Sequence, residues 1–417
     1  MKKLLVSVLA VVLLAGLMAP AAFAAKKPIE VAIWDQDDPP AEAVMDKLYK
    51  EFMEKNPGIK ITRVHWGTEE LRSNFQNAVI ARKGPQLILA PYDNIGPFST
   101  MGIIQPLDNL LPKSFLDSFN QAALDGNRFN GKLWGIPDRV GNHLTLVYNK
   151  KLIAEAPKTM EELIAKAKEL TKDTNGDGKI DQYGLVYNLN EPFWFVVFQG
   201  GFGGWVMDGK NQPTLDTKAT VDALQFVRDL KFKHKIVPDE ADYQVADTLF
   251  KEGKAAMIIN GPWSWKAYQD AKIDIGLARI PKMDSTGKWP VPMTGMKSYS
   301  VSVNVKDKEL KDATIKVLMF MTGEHAQAEF LKARAIGDLP SNKKVADSAE
   351  VKNDPVLKAS VDQMVVGKPM PIAPEMRAIW DAIRPSLELV MGGKMSPEDA
   401  AKEMQKVAVQ KIKEMKQ

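Results

Sequence analysis

The amino-acid sequence predicts an α/β protein of two lobes with a ligand cleft between them. Its 417 residues suffice for roughly two to three domains. From residue 29, short apolar strands alternate with amphipathic helices, and the alternation starts again at a helix-capping sequence near residue 159. Such alternation implies a parallel sheet with helices on both faces. Two successive units of similar size therefore imply two lobes.

The first unit contains three predicted strands separated by two predicted helices. Alternating apolar residues at Ile29, Val31 and Ile33 indicate the first strand. After it the sequence predicts a helix that ends at the NPG sequence at 56–58, a strand at 59–66, a helix at 69–81 and a strand at 86–90. In such sheets the ligand lies outside the carboxyl ends of the strands. The loops at 35–40 and 91–94 are therefore candidate walls of a binding site.

The second unit follows a predicted turn at Asn130 and Gly131 and a strand at 144–148. Its first helix opens with a capping box at Thr159 and runs to about residue 170. Further strands are expected at 185–187, 255–259 and 273–278, and further helices at 192–198, 219–233 and 245–251. A further strand is predicted at 299–305, where apolar and polar residues alternate as they do in the strands of the first sheet. The last third is helical, at 310–321, 326–333, 355–366, 374–391 and from 397 onward.

The N-terminal residues predict an export signal. Lys2 and Lys3 precede an apolar run at 4–17, and small residues at 22–24 match the sequence that a signal peptidase reads, so cleavage is expected after Ala24. The chain has no Cys, which excludes disulfides and leaves no acceptor for a lipid anchor at the cleavage site. We therefore expect a freely diffusing protein of the periplasm.

The charge balance excludes some classes of partner. Removing the signal takes two of the 56 Lys and Arg residues and leaves the 52 acidic residues unchanged. The mature chain is therefore nearly neutral, and neither a nucleic acid nor a membrane surface is expected as a partner. Hydrophobic residues at 45% and charged residues at 26% are ordinary for a soluble globular protein.

The hexapeptide NGPWSW at 260–265 predicts a backbone turn that presents two flat aromatic rings after the apolar run at 255–259. Tryptophan offers a rigid apolar surface on which the C–H face of a sugar ring can stack. The alternative is that both rings fill a core. Since side-chain directions alternate along a strand or turn, we expect Trp263 to face a ligand and Trp265 to pack inside.

A second aromatic site is predicted near the C-terminus. Trp380 and Arg384 are four residues apart and therefore share one face of the predicted helix. A ring beside a guanidinium can stack on a sugar and bind its hydroxyls in a fixed geometry. The alternative is a Trp packed in the core with the Arg lying over it.

The segment at 173–181 has the ligand spacing of an EF-hand-type calcium loop. Position 12 of the loop is Gly184, so the usual bidentate Glu is missing. Either this loop is a weak structural calcium site, or it is only a polar turn. The candidate ligands are Asp173, Asn175, Asp177, the backbone carbonyl of Lys179, and Asp181.

Other common sites find little support in the sequence. The four histidines are far apart and show no compact zinc-ligand spacing. The glycine-rich stretch at 200–205 matches neither a Walker A loop nor a dinucleotide fingerprint. A GxSxG nucleophile elbow is absent from the sequence, and no pair of carboxylates is marked as acid and base. An enzyme is therefore left unsupported.

Several segments together resemble the maltose-binding-protein-like members of the family 1 extracellular solute-binding proteins of ABC importers. These segments are NGKLWGIP at 130–137, VYNK at 147–150, NEP at 190–192, NGPWSW at 260–265 and MPIAPEMRAIW at 370–380. The resemblance covers essentially the whole mature chain. It implies a type II periplasmic-binding-protein fold, in which mixed sheets flanked by helices form two lobes that close like a hinge. The implied lobes are 25–140 with 297–342, and 141–296 with 343–417.

The resemblance also implies a set of ligand-binding residues in the second lobe. The aromatic platforms of the family fall on Trp263 and Trp380, with Arg384 beside the latter. Glu191 keeps the acid of the EPY sequence of the family, whereas Phe193 lacks the hydroxyl of its Tyr. This lobe therefore keeps the stacking surface.

The first lobe departs from the pattern of the family. The family's acid in the loop after the first strand falls on Asp37 or Asp38, and its acid after the third strand falls on Asp93. In this lobe, several residues that bind sugar hydroxyls in the family are replaced by others. The resemblance therefore favours a glucan-like or other oligosaccharide over maltose itself. The departures are Pro39 for a Lys, Ala90 for a Trp, Asn94 for an Arg, and Asn142 or Gly141 for a Glu.

We therefore expect the periplasmic substrate-binding subunit of an ABC transporter. It captures a maltodextrin-like oligosaccharide and delivers it to the membrane subunits, as a monomer without catalytic residues or a required cofactor. One alternative is a secreted carbohydrate-active enzyme that uses the same aromatic cleft. Another is an importer subunit for a non-sugar solute such as a polyamine. Such a solute needs a pocket of matching charge, and the aromatic residues of the predicted site do not favour it.

Overall fold

The computed structural model describes residues 27–37, 39–333 and 337–415. The predicted signal peptide at 1–24 and the candidate ligand residue Asp38 lie outside this part of the chain. The strands are β1 (Ile29–Asp35), β2 (Ile59–His65), β3 (Leu87–Pro91), β4 (Arg128–Phe129), β5 (Lys132–Leu133), β6 (Ile136–Gly141), β7 (Thr145–Asn149), β8 (Tyr183–Val186), β9 (Ala255–Asn260), β10 (Ile275–Ala278), β11 (Met293–Val301), β12 (Leu339–Pro340) and β13 (Lys368–Pro369).

Helices flank these strands along the whole described chain, and a 3-10 turn at Tyr92–Asn94 follows β3. The helices are α1 (Pro39–Lys55), α2 (Thr68–Ile80), α3 (Ile95–Thr100), α4 (Lys113–Leu116), α5 (Gln121–Asp125), α6 (Met160–Leu170), α7 (Pro192–Gly201), α8 (Lys218–Phe232), α9 (Tyr243–Lys251), α10 (Pro262–Asp270), α11 (Lys308–Thr322), α12 (Glu324–Ala333), α13 (Lys343–Ala346), α14 (Ala349–Asn353), α15 (Pro355–Met364), α16 (Glu375–Met391) and α17 (Pro397–Met415).

The first lobe is built on a mixed sheet with the strand order β12-β6-β11-β3-β1-β2, and β13 pairs with β11. The β1, β2 and β3 strands are parallel, as their alternation with helices predicts. The β11 strand runs antiparallel to both β3 and β6, so the sheet is mixed, as the resemblance implies. This strand returns from a distant part of the chain, so the local strand and helix alternation does not fix its direction.

The second lobe is built on a smaller sheet with the strand order β10-β7-β9-β8. The pairs formed by β7 with β9 and β10 are antiparallel, and β8 is parallel to β9. The chain leaves the first sheet after β6, returns to it at β11 and β12, and touches it once more at the short β13. The predicted lobe boundary at 297 falls inside β11, which begins at Met293.

Several local signals act as the sequence predicts. Asn130 and Gly131 have φ angles of 50° and 76°, the left-handed conformation that a two-residue hairpin needs, and they join β4 to β5. The side chain of Thr159 accepts a hydrogen bond from the backbone N–H of Glu162 and caps α6. The stripe of apolar residues on α1 is buried, and the helix ends just before Asn56 and Pro57.

The two tryptophans at 263 and 265 lie in a helix, not in the predicted turn. The β9 strand ends at Asn260, and α10 begins directly at Pro262, a favoured first helical position. Residues two apart on a helix point about 200° apart. Trp265 is accordingly buried with 1% of its surface exposed, as predicted, whereas Trp263 is partly buried.

Each lobe has its own hydrophobic core. In the first lobe, Val31 and Ile33 of β1 pack with α1 and α11 on one face of the sheet. Ile88 on the other face packs with Leu71 and Phe75 of α2. The core of the second lobe gathers its sheet with α7, α8, α10, α16 and α17. Within the described residues, every helix is too short or too polar to cross a membrane.

Candidate functional site

A cleft of about 450 Å³ lies between the lobes. Its first wall comes from loops that follow the carboxyl ends of β1, β2 and β3, the position expected for ligand sites in such sheets. Its second wall comes from the second lobe. Seven of the residues singled out from the sequence line this cleft, namely Asp93, Asn94, Asn142, Glu191, Phe193, Trp263 and Trp380.

The second wall is a group of interlocked aromatic rings. Trp194 meets Phe193 edge to face, with ring centroids 5.7 Å apart, and meets Trp263 at 6.3 Å. The indole N–H of Trp194 donates to the carbonyl of Ile259 at 2.7 Å, and that of Trp263 donates to the hydroxyl of Tyr243 at 3.1 Å. Because protein groups already satisfy these N–H donors, the rings offer the cleft mainly apolar surface.

Trp380 reaches across the cleft from α16. Its indole N–H donates to Oδ2 of Asp93 at 3.3 Å, so a ring of the second lobe touches an acid of the first. Burial raises the pKa of Asp93 to about 6, although the hydrogen bond from Trp380 acts in the opposite direction. The acid and the ring that the sequence singled out separately thus belong to one site.

Arg384 lies behind the wall and holds Glu191. Its guanidinium donates to both carboxylate oxygens of Glu191, at 2.6 and 3.1 Å. Burial raises the pKa of Glu191, and the contact with Arg384 opposes this shift. Such a bidentate pair fixes the orientation of the carboxylate. Arg384 is therefore placed to position Glu191, and its ring neighbour Trp380 forms the cleft surface itself.

Sequence reasoning missed a charged group at the mouth of the cleft. Glu69 in the first turn of α2 accepts hydrogen bonds from Arg377 at 3.1 Å and from Arg384 at 3.4 Å. Burial disfavours the charged form of Glu69, but Arg377, Arg72 and Arg384 outweigh it and lower its pKa. The signal was available, since Glu69 follows the carboxyl end of β2 just as Asp93 follows that of β3. Trp66, which directly follows β2, also lines the cleft.

Asp37 lies beneath the residues that line the cleft, so its assignment as a ligand contact stays a prediction. It is 1% exposed, and its two oxygens accept hydrogen bonds from Arg139 and Lys297, each at 2.6 Å. Burial opposes its ionisation, but the two cations hold its pKa far below the usual range. Lys297 on β11 lines the cleft instead. The sequence could not place Lys297 there because β11 joins this sheet from a distant segment.

Asp338 links two passages of the chain between the lobes. Its Oδ1 accepts the backbone N–H of Asn142 at 3.1 Å, next to Gly141 and Asn142, which have positive φ angles. Burial raises its pKa to about 6, while the charges of Arg139 and Lys297 act in the opposite direction. The Asp37 carboxylate adds to the upward shift. The passage therefore contains a carboxyl group that is costly to ionise.

The pKa of Asp338 predicts a pH-dependent effect of Asp338→Asn. The pKa of Asp338 is higher in the folded than in the unfolded protein. Its protonated form therefore contributes to the stability of the wild type fully below about pH 4, and this contribution is lost as the pH rises through 6. The variant carries no titrating group at this position. Its free energy of unfolding relative to the wild type should therefore rise by about 2 kcal/mol between pH 4 and pH 7.5.

Urea unfolding at several pH values measures this difference. The matched control is Asp347→Asn, because the Asp347 side chain is 78% exposed. Its difference from the wild type should stay constant over the same range. A constant difference for Asp338→Asn as well would contradict the assignment.

The predicted calcium loop folds into a network of its own hydrogen bonds. Oδ1 of Asp173 accepts the backbone N–H groups of Asn175 and Gly176, and its Oδ2 accepts that of Gly178. These bonds lower the pKa of Asp173. Asp177 accepts from the backbone of Lys179, and Asp181 accepts from Thr174. Among the described residues, no group of three acidic, His or Cys side chains is arranged to hold a metal ion.

Comparisons with known proteins place the chain among sugar-binding relatives. The chain is 44% identical to the maltose/maltodextrin-binding domain of Bdellovibrio bacteriovorus, solved with bound maltotriose, with a TM-score of 0.89 over 92% of this chain and 100% of that one. It is 30% identical to the maltotriose-binding protein of Pyrococcus abyssi over 87% of this chain and 77% of that protein. It is 26% identical to the galactooligosaccharide-binding protein of Bacillus subtilis over 92% and 90%.

These neighbours confirm the predicted two-lobed type II fold. Residues 47–359 match the profile of the bacterial extracellular solute-binding proteins, which bind solutes and are not enzymes. The secreted carbohydrate-active enzyme, considered above as an alternative, therefore has no support. The chain belongs to the family of bacterial extracellular solute-binding proteins.

Proposed function

We propose that this protein captures a maltodextrin-type oligosaccharide in its cleft and delivers it to the membrane subunits of an ABC transporter. The observation that carries the proposal is the contact between Trp380 and Asp93, which brings an aromatic ring and an acid from opposite lobes to one cavity. A ligand that touches both residues contacts both lobes at once only when the cleft is closed. Binding then favours the closed state, which a transporter can recognise.

The wall chemistry suits a neutral sugar. Apolar ring faces stack on the C–H faces of pyranose rings, and carboxylate and amide groups bind hydroxyls. A volume of about 450 Å³ is within the range of small-ligand sites. We assign ligand contact to the lining residues Asp93, Asn94, Asn142, Glu191, Phe193, Trp263 and Trp380, and we assign the positioning of Glu191 to Arg384.

The kind of oligosaccharide is inferred from the relatives and is tested directly. Two of the relatives described above have maltotriose in their names, and a third is named for galactooligosaccharides. Isothermal titration calorimetry with maltotriose, maltohexaose, a galactooligosaccharide and glucose separates these cases. We expect maltotriose or maltohexaose to bind with a Kd on the order of 1 μM, about −8 kcal/mol, and glucose to bind far more weakly.

Tighter binding of the galactooligosaccharide would move the proposal to another sugar class. Absence of heat with every sugar, together with binding of a cationic solute such as a polyamine, would overturn it. The same samples incubated overnight should contain only intact sugar, because members of this family bind solutes without transforming them.

Other properties of the protein are proposed on the sequence. We propose export to the periplasm on the basis of the apolar run at 4–17 and the small residues at 22–24. A monomeric state and the lobe division into 25–140 with 297–342 and 141–296 with 343–417 are proposed with it. The order of the strands supports the division, since β11 and β12 join the first sheet. Calcium binding at 173–181 stays a prediction, which titration calorimetry on chelator-treated protein tests.

A further inference from the structure

Glu69 makes an ionic contact between two separately packed bodies of the protein. It lies in the first turn of α2, whose residues Leu71 and Phe75 belong to a core of the first lobe. Its partners Arg377 and Arg384 lie on α16, which packs against α7, α8 and α17 in the second lobe. The two contacts, at 3.1 and 3.4 Å, join residues that are 308 and 315 positions apart in the chain.

The two arginines face Glu69 together because of their spacing. Residues seven apart on a helix are nearly two full turns apart and share one face. Their side chains are 22% and 29% exposed, and that of Glu69 is 43% exposed. Water can therefore reach the contact, and it can break and re-form without leaving a fully buried charge.

Every member of this group also has a partner within its own lobe. Arg377 pairs with Asp381 on α16, and Arg384 pairs with Glu191 at 2.6 Å. Glu69 pairs with Arg72 on its own helix. Separation of the lobes would break the contacts of Glu69 with α16 but leave each charge with a local partner. Open and closed arrangements are thus both compatible with paired charges, as a reversible latch requires.

We propose that Glu69 is an electrostatic latch that holds the two lobes together before any ligand binds. It acts as a positioning residue, because it sets the fraction of molecules in which the two walls already face each other across the cleft. The inference deepens the proposed oligosaccharide-binding function, on which its biological role rests. Half-exposed ion pairs of this kind shift a two-state equilibrium by about fivefold.

The test measures the distance between the lobes without sugar. The chain contains no Cys, so Asn77→Cys on α2 and Lys402→Cys on α17 place a single spin label on each lobe at exposed positions. Pulsed electron–electron double resonance then gives the populations of short and long distances between the two labels. Glu69→Gln keeps the shape of the side chain and removes its charge.

In the ligand-free state, we expect the labelled wild type to show a population at the short distance between the lobes. In Glu69→Gln, the ratio of the short-distance to the long-distance population should be about fivefold lower than in the wild type. The matched control is Glu54→Gln, which removes the same charge from an exposed position on α1. It should leave the distribution unchanged. Saturating maltotriose should restore the short distance in Glu69→Gln.

Salt provides a readout that a purely structural role of Glu69 would not change. Raising the ionic strength from about 0.05 M to about 1 M shortens the screening length to about 3 Å. This change should shift the labelled wild type toward the long distance and leave the distance distribution of Glu69→Gln unchanged. Equal distributions for both proteins at low salt, or equal responses to salt, would overturn the latch. If no sugar binds but these ligand-free results hold, the proposed function fails and the latch stands.

Discussion

Replacing Trp380 by Ala is expected to weaken oligosaccharide binding by about 5- to 150-fold, which corresponds to roughly 1–3 kcal/mol. The indole lines the cleft on α16 and is locked there by its contact with Asp93 and by its neighbours in the second core. Its loss removes a preformed stacking surface and one contact between the lobes. Titration calorimetry with maltotriose gives the affinity.

Two further variants separate the causes of this loss. Trp380→Phe keeps an aromatic face and removes the N–H that Asp93 accepts, so it should recover most of the affinity if stacking dominates. Trp263→Ala removes the other ring and should cost a similar amount. Trp289→Ala is the control, because Trp289 packs against Arg279 and Lys282 away from the cleft. Unchanged affinity in both the Trp380 and the Trp263 alanine variants would make these rings packing residues only.

The features that the sequence predicts correctly are local. The capping box at Thr159 and the turn at Asn130 and Gly131 depend on a few consecutive residues, whose backbone geometry those residues dictate by themselves. Trp263 and Trp380, which line the cleft, were singled out for a similar reason, and their contact with a ligand stays a prediction. Each stands in a short motif, and large aromatic side chains have few roles other than packing and binding.

The features that the sequence does not predict depend on distant parts of the chain. Lys297 reaches Asp37 only because β11 inserts antiparallel between β3 and β6. Glu69 meets Arg377 across a gap of 308 positions. No periodicity encodes such encounters, since helical and strand patterns report only which face of an element is buried. These charged contacts therefore form only when distant segments of the chain are brought together by the fold.

Asp37 illustrates how this limit affects the assignment of a site residue. The resemblance to the solute-binding family places a ligand-binding acid in the loop after β1, at Asp37 or Asp38. The structure instead gives Asp37 two buried cationic partners and 1% exposure. A residue at the expected position can thus serve the fold beneath the site, because a lysine supplied by another strand has taken its place on the surface of the cleft.

Asp37→Ala is therefore expected to lower the free energy of unfolding by about 3–5 kcal/mol. The change leaves Arg139 and Lys297 buried with one carboxylate fewer, and an uncompensated buried charge is costly. Urea unfolding followed by circular dichroism measures the loss. Asp274→Ala, which breaks an exposed pair with Lys150, is the control and should cost no more than about 1 kcal/mol.

The double variant Asp37→Ala with Lys297→Met decides between a role in the fold and a role in binding. Removing both charges leaves Arg139 with Asp138, so the double variant should recover part of the stability lost in Asp37→Ala. If Asp37 bound the sugar directly, its alanine variant would lose affinity while keeping its stability. If it supports the floor of the cleft, stability falls first, and affinity changes only through the displaced Lys297. Because Asp37 is buried against Arg139 and Lys297, we expect the loss of stability and not a direct loss of affinity.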